Sequence, residues 1–341
     1  MSSQLENEAS FEATTLGFLW RQFTRPKPLP TGITLAGQVA IVTGSNVGLG
    51  FSASRQLLQL GLSHLIMGVR SQAKGDVAAA QLRTDFPFAT ISVWIVDMES
   101  YDSVCAFASR CESLDRIDIV ILNAGLIKTP YTVVRATGNE VTLQVNYLST
   151  ALLTILLLPI LKAKKRVDCS WSPVISIVGS DLMYENEVEL EGPVLPQFQQ
   201  EETFSQFSWY GKSKLLQTMF ISKIAEFVNP HDVLVNVSNP GMTGGTDFFR
   251  GYPALMMKLI AVGQWILARP VDMAATTYLD AVLVQGEKSH GSFTSDWTIK
   301  PYPKIWYTPE GQQLRERLWE ETMEELNFVG ASKIVNDLKR S

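Results

Sequence analysis

Cysteine and histidine are both scarce in this 341-residue chain, with three of each. Cys105, Cys111 and Cys169 are too few and odd in number for a disulfide framework, so the reading is a reducing, cytoplasmic setting with plain buried thiols. His64, His231 and His290 lie far apart, and neither HExxH nor CxxC occurs. No metal is therefore expected. Charge is thin as well: 18% of residues, with a net value of −5. Such a balance argues against nucleic acid as a partner, because phosphate neutralisation needs a positive surface. Long apolar runs are missing too. The strongest, Leu148–Leu161, covers 14 residues, short of the roughly 20 that a bilayer demands. It reads as a buried helix, and no transmembrane segment is expected. Glu6, Glu8 and Glu12 stand where a secretory leader would carry its basic region, so none is expected.

What is present is a core and a rhythm. Hydrophobic residues make up 46% of the chain, ordinary for a globular protein. Residues 1–35 read as an extension closing on the proline-rich stretch Pro26-Lys-Pro-Leu-Pro30. Short apolar, β-branched runs then alternate with helical patterns. Strands are expected at Val39–Thr43, Leu65–Gly68, Ile91–Val96, Ile117–Leu122, Val174–Val178 and Val233–Val237. Helices are expected at Gly50–Leu60, Ser71–Thr84 and near Ser100–Ser113. Near-continuous apolar strands between helices indicate a mainly parallel sheet covered on both faces, an α/β doubly wound fold. No linker splits the chain from Leu35 to about Ile299, so residues 36–341 read as one domain.

Two motifs carry chemistry. The first strand runs into Thr43-Gly-Ser-Asn-Val-Gly-Leu-Gly50 and a helix. Glycines at 44, 48 and 50 permit positive φ and let backbone N–H groups approach a pyrophosphate. The helix N-terminus supplies partial positive charge to the same anion. A tight turn without a ligand would look similar taken alone. Gly211-Lys-Ser213 lacks the upstream glycine of a phosphate loop, since Gln206 stands there. The second motif is Tyr210 and Lys214, four apart and so on one helix face. An ammonium near a phenol favours the phenolate and brings its pKa toward the working range. A surface cation–aromatic pair is the plain alternative.

In this order, the motifs make the chain resemble a short-chain dehydrogenase/reductase, over about Leu35 to Ile299. The resemblance implies a single Rossmann-type domain and assigns positions. Gly44, Ser45, Asn46, Gly48, Leu49 and Gly50 would form the cofactor turn. Asp97, with Met98 beside it, would meet the adenine edge. Asn123-Ala124-Gly125 would steady the sheet beside the cofactor. Asn146, Ser180, Tyr210 and Lys214 would form the catalytic tetrad, with Tyr210 and Lys214 also touching the cofactor. Pro240-Gly241 would border the nicotinamide. The family often places a threonine five residues after that proline; Gly245 stands there, flanked by Thr243 and Thr246. The detail is similar to the retinol-dehydrogenase-like branch and to fungal enzymes of secondary metabolism, through the TGSNVGLG turn, VRSQAKG and HGSFTSDWTI.

Strand two ends Ile66-Met-Gly-Val-Arg70. NAD-preferring enzymes of this kind carry an acid where Val69 stands, to accept the ribose hydroxyls. With none present, Arg70 is expected to pair with a 2′-phosphate, which points to NADP(H). Ser180 and Tyr210 are 30 residues apart, which implies an insertion over 181–209. That insertion carries Phe198, Phe204, Phe207 and Trp209. Residues 244–268 carry Phe248, Phe249, Tyr252, Met256, Met257 and Trp265. Gly244–Ala268 is expected to act as a helical lid, although Ala254–Ala268 would equally serve as a partner surface or a membrane-touching patch. Core packing accounts for at least half of these aromatics. The rest favour a sizeable apolar ketone, aldehyde or alcohol of polyketide, terpenoid or retinoid type. Monomer and homodimer both remain open. So do epimerisation or dehydration on the same scaffold, and a non-catalytic NADPH-binding role.

Overall fold

The computed structural model describes residues 1–166, 171–244 and 267–340. Two short helices open the chain, α1 (Glu6–Glu12) and α2 (Thr15–Phe23). The alternating region follows as β1 (Val39–Thr43), α3 (Gly48–Gln59), β2 (His64–Val69), α4 (Gln72–Asp85), β3 (Thr90–Ile95), α5 (Tyr101–Cys111) and β4 (Ile119–Leu122). Next come α6 (Ser149–Ala163), β5 (Val174–Val178), α7 (Gln206–Ile224), β6 (Leu234–Asn239) and α8 (Val271–Leu283). A hairpin of β7 (Phe293–Ser295) and β8 (Thr298–Lys300) precedes α9 (Pro309–Glu325) and α10 (Ala331–Arg340).

Among the described residues the strands form one eight-stranded sheet in the order β3-β2-β1-β4-β5-β6-β7-β8. Seven run parallel, and β8 closes the edge antiparallel to β7. Every residue of β1, β4, β5 and β6 is buried. β1 and β4 therefore carry apolar side chains on both faces and read as nearly unbroken runs, whereas β5 and β6 also bury Ser176, Asn236 and Ser238, which find hydrogen-bond partners inside the protein. Val39 and Ile41 point into one half of the core, with α5, α6 and α7. Ala40 and Val42 point into the other, with α3, α4 and α8. The two C-terminal helices join the first half through Leu314, Leu318 and Val335.

Strand and helix positions agree with the sequence-based expectation within a residue or two, with one real extension. The hairpin of β7 and β8 was not expected, because three-residue strands give no periodicity to read. Its turn places Asp296 and Trp297 at positive φ, 43° and 59°, the geometry of a two-residue hairpin turn. The apolar run is longer than it looked. With the π-helical stretch Leu143–Leu148 it forms a continuous helix over Leu143–Ala163, long and apolar enough by length and composition to cross a bilayer. Its most apolar window is 83% buried inside the protein, which makes it the central helix of one face of the sheet.

The insertion folds into three short 3-10 turns, Asp181–Tyr184, Leu195–Phe198 and Glu201–Thr203. Phe198 and Trp209 are core residues, with ring centroids 5.2 Å apart, and Phe204 stacks edge-on to Trp209 at the same distance. These three rings pack against one another. Most of Gly244–Ala268, the expected lid, lies outside the described residues.

Leu152 on α6 is fully buried, in the core half that holds α5, α6 and α7. Leu152→Ala should cost about 2–5 kcal/mol, read as a lower urea midpoint with an unchanged slope.

Candidate active site

In an open parallel sheet a ligand binds outside the carboxyl ends of the strands, where the strand order reverses. Here the reversal falls between β1 and β4. The chain leaves β1 through Gly44 at φ +65° and enters α3 through Gly48 at φ +57°. A Cβ on Gly48 would meet nothing within 4 Å, so the turn is open on that side. Gly50 is the opposite case. A Cβ there would lie 2.5 Å from Asn123 Nδ2 and 2.6 Å from the Gly44 carbonyl oxygen, so no other residue fits. Asn46 and Leu49 are half-buried beside it. Ser45 is buried, and its hydroxyl has no hydrogen-bond partner among the described residues.

Asn123 ties this turn to β4. Its amide donates to the carbonyls of Thr43 and Gly44 (3.0 and 3.3 Å), and its carbonyl accepts from the Tyr278 hydroxyl at 3.2 Å. The Thr43 hydroxyl accepts from the Ala124 N–H at 3.0 Å, and Gly125 follows in the open. At the end of β3, Asp97 accepts from the Glu99 N–H at 3.0 Å, and the Met98 carbonyl accepts from Ser149 at 2.6 Å. A glycine-lined anion turn at a helix start, half-buried Asp97 and the exposed Gly125 are what a dinucleotide needs along this edge.

Asn146, Ser180, Tyr210 and Lys214 come together on the same edge. Asn146 sits in the π-helical stretch, a widened turn that recurs at functional sites. Its side chain accepts from the Leu126 N–H at 2.9 Å and donates to the Leu126 carbonyl and to Ser213. Its backbone carbonyl accepts from Gln217. Ser180 ends the extended chain after β5 and accepts from the Leu182 N–H at 3.3 Å. Tyr210 is buried and hydrogen-bonded to Ser180. Lys214, one turn along α7, donates to the Val178 carbonyl at 2.7 Å, with its amine 5.5 Å from the Tyr210 ring centre.

The electrostatics differ from the simple expectation of an ammonium lowering a phenol. Burial pushes the Tyr210 phenol well up, against the Ser180 hydrogen bond that lowers it, and Asp181 adds to the rise. Burial also brings the Lys214 amine down to about 7. Both groups are thus poised toward their neutral forms, because desolvation acts against either charge.

Two assignments look different in three dimensions. Arg70 is paired with Glu99 at 2.8 Å, with its side chain 67% exposed; Glu99 lies one strand over and had no local signal. Beyond β6, the Pro240 carbonyl accepts from Arg269 at 3.1 Å, and Gly241 takes φ +73°. Thr243 donates to the Gly241 carbonyl at 3.1 Å and is buried, whereas Thr246 is outside the described residues. Arg21, Gln22, Asp181, Arg269 and Tyr278 also border the site. Asp181 directly follows Ser180, but the others touch the site from 29 (Arg269 to Pro240), 155 (Tyr278 to Asn123), 160 (Arg21 to Asp181) and 220 residues away (Gln22 to Met242), so spacing could not reveal them.

With this geometry in place, the relatives decide the family. A short chain dehydrogenase family model matches residues 38–171. The chain is 42% identical over 324 residues to short chain dehydrogenase/reductase mfmJ of Annulohypoxylon moriforme, covering 94% of each. It belongs to the short-chain dehydrogenase/reductase family. This dehydrogenase/reductase is also 46% identical over 312 residues to short chain dehydrogenase opdN of Penicillium oxalicum, covering 88% of this chain and all of that one. Its fold is similar to that of the NADPH-dependent 3-quinuclidinone reductase from Rhodotorula rubra, with TM-score 0.58 and 20% identity over 80% of this chain and 96% of that one.

Burying Lys214 carries a pH signature. The unfolded chain takes up a proton on this amine below its ordinary value near 10.5, whereas the folded one does so only below about 7. Stability lost to this residue is therefore greatest below pH 7 and shrinks as pH rises toward 10.5. Lys214→Met should raise the melting temperature at pH 6 clearly more than at pH 10. An equal shift at both would contradict the buried neutral amine.

Proposed function

We propose that this short-chain dehydrogenase/reductase uses NADP(H) to interconvert a carbonyl and an alcohol on a sizeable apolar substrate, in fungal secondary metabolism. The observation that carries the reading is the buried Ser180–Tyr210 hydrogen bond with Lys214 one turn on, at the carboxyl edge of β5. The nicotinamide, when bound, supplies or accepts the hydride. Tyr210 holds the proton that the substrate oxygen needs. Its raised pKa keeps the phenol protonated, as a general acid in the reductive direction must be. Ser180 shares that proton's neighbourhood and would donate to the substrate oxygen as negative charge builds. Lys214, its amine 5.5 Å from the Tyr210 ring centre, and Asn146, bonded to Ser213 on the same helix, offer the route by which the phenol is reprotonated.

Support for an apolar substrate comes from Phe207. It lies one turn before Tyr210 on α7 and is partly exposed, so the two share a face. The methionine- and phenylalanine-rich stretch at 244–268 adds to it. NADP(H) as the cofactor is supported by the absence of an acid at Val69 and by the exposed guanidinium of Arg70. In the protein alone Glu99 occupies that guanidinium, so a 2′-phosphate has to compete with a carboxylate for it.

Turnover with NADPH across aromatic and alicyclic ketones, α-tetralone among them, tests the reading. Tyr210→Phe should bind NADPH almost as tightly and lose about 10²- to 10⁴-fold in rate. A near wild-type rate would reject Tyr210 as the acid.

Cofactor choice has its own test. Arg70→Ala should weaken NADPH by roughly 10- to 100-fold and leave NADH almost unchanged. Glu99→Gln frees the guanidinium and should tighten NADPH while leaving NADH alone. Equal effects on both cofactors, by titration, would place Arg70 outside phosphate recognition.

A further inference from the structure

The N-terminal helices reach the site from a distance. α2 is capped by Thr14, whose hydroxyl accepts from the Gly17 N–H at 3.0 Å. It presents Leu16, Trp20 and Phe23 outward and buries Arg21 and Gln22 inward. Two adjacent polar side chains buried at a helix end demand partners. They find them on two different loops.

Arg21 reaches the loop after β5. Its guanidinium pairs with Asp181 at 3.5 Å and with Glu12, and lies 5.0 Å over the Tyr184 ring. Asp181 directly follows Ser180, the residue hydrogen-bonded to Tyr210. Gln22 reaches the loop after β6. Its carbonyl accepts from the Met242 N–H at 3.0 Å, and its amide donates to the carbonyls of Met242 and Leu267 at 2.8 and 2.7 Å. A Cβ on Gly241 would lie 2.9 Å from Gln22 Oε1, so the amide is seated directly on this turn. Arg269 locks the pair together. It donates to the Pro240 carbonyl and to the backbone carbonyls of both Arg21 and Gln22.

We propose that Arg21 and Gln22 are positioning residues for the reaction, fixing the Ser180 loop and the Gly241 turn relative to each other across the place where nicotinamide and substrate meet. This rests on the carbonyl–alcohol reading above. The physical basis is that hydride transfer demands near-contact alignment, and a misplacement of about 1 Å costs on the order of 10²-fold. Arg21 also neutralises Asp181, whose carboxylate would otherwise stand unpaired beside Ser180. The N-terminal segment is thereby a working part of the active site, although it precedes β1 and touches no motif in sequence.

The test uses the full chain, NADPH and α-tetralone, with Tyr210→Phe as control. Gln22→Ala should fold, bind NADPH with a dissociation constant within about twofold of wild type, and lose roughly 10- to 100-fold in kcat. Arg21→Met should lose kcat likewise, and Arg21→Lys should recover much of it. Adding Asp181→Asn to Arg21→Met should also restore rate, because the unpaired carboxylate is gone. A brace that serves stability alone would lower the melting temperature and leave kcat per NADPH-binding site unchanged. That result for Gln22→Ala overturns the proposal, even if Arg21→Met fails to fold. A loss that tracks NADPH affinity overturns it too. If Tyr210→Phe stays active, the functional reading itself falls; if only Gln22→Ala and Arg21→Met stay active, positioning alone falls.

Discussion

Removing the Lys214 amine from water is the constraint around which this site is arranged. The amine ends up buried, with the carbonyl of Val178 as its hydrogen-bond acceptor. That acceptor is free only because β5 ends there and the chain turns toward Ser180. Tyr210 must then lie one turn back on α7, and Asn146 must approach through the π-helical stretch to hold Ser213 on the same helix. A parallel sheet makes such an arrangement possible, since all its carboxyl ends, and the glycine turn with them, open on one edge.

The motifs on that edge were legible because each is local. Gly44, Gly48 and Gly50 sit in one turn, and Tyr210 and Lys214 in one helical turn. Buried parallel strands leave unmistakable apolar runs. What could not be read is whatever depends on contacts between distant segments. Nothing near Arg70 announces Glu99. Nothing near Ser180 announces Arg21. Which of the insertion's aromatics are core could not be read either, because composition does not say which way a ring faces; the structure turns Phe198, Phe204 and Trp209 into each other. Even the tyrosine–lysine pair, correct in spacing, was incomplete in energetics. Spacing shows that a cation is near a phenol, but only burial shows that both are driven toward neutrality.

The buried charges around the N-terminal helices form one connected set. Glu12 lies between Arg21 and Lys300, and Lys300 lies 3.2 Å from Asp296 in the hairpin turn. Asp296 is raised to about 6 by burial, with Lys300 pulling it back. Groups of this kind gain little over an apolar core of the same volume, but removing one member strands the others. Their value here lies in register: the N-terminal helices and the hairpin, far apart in sequence, are held in a single relative arrangement.

That arrangement has a consequence for how the protein is made. Ser2 hydrogen-bonds to Phe293 and Lys300, across separations of 291 and 298 residues. At ribosomal speeds of about 5–20 residues per second, those partners emerge roughly 15–60 seconds after Ser2 does. For that interval α1 and α2 have no hairpin to dock on, and Leu16, Trp20 and Phe23 travel with them. The sheet from β1 to β6 has time to assemble first, and the N-terminal helices close over a nearly finished protein. Residues synthesised well before the hairpin are thus among the last to take their places.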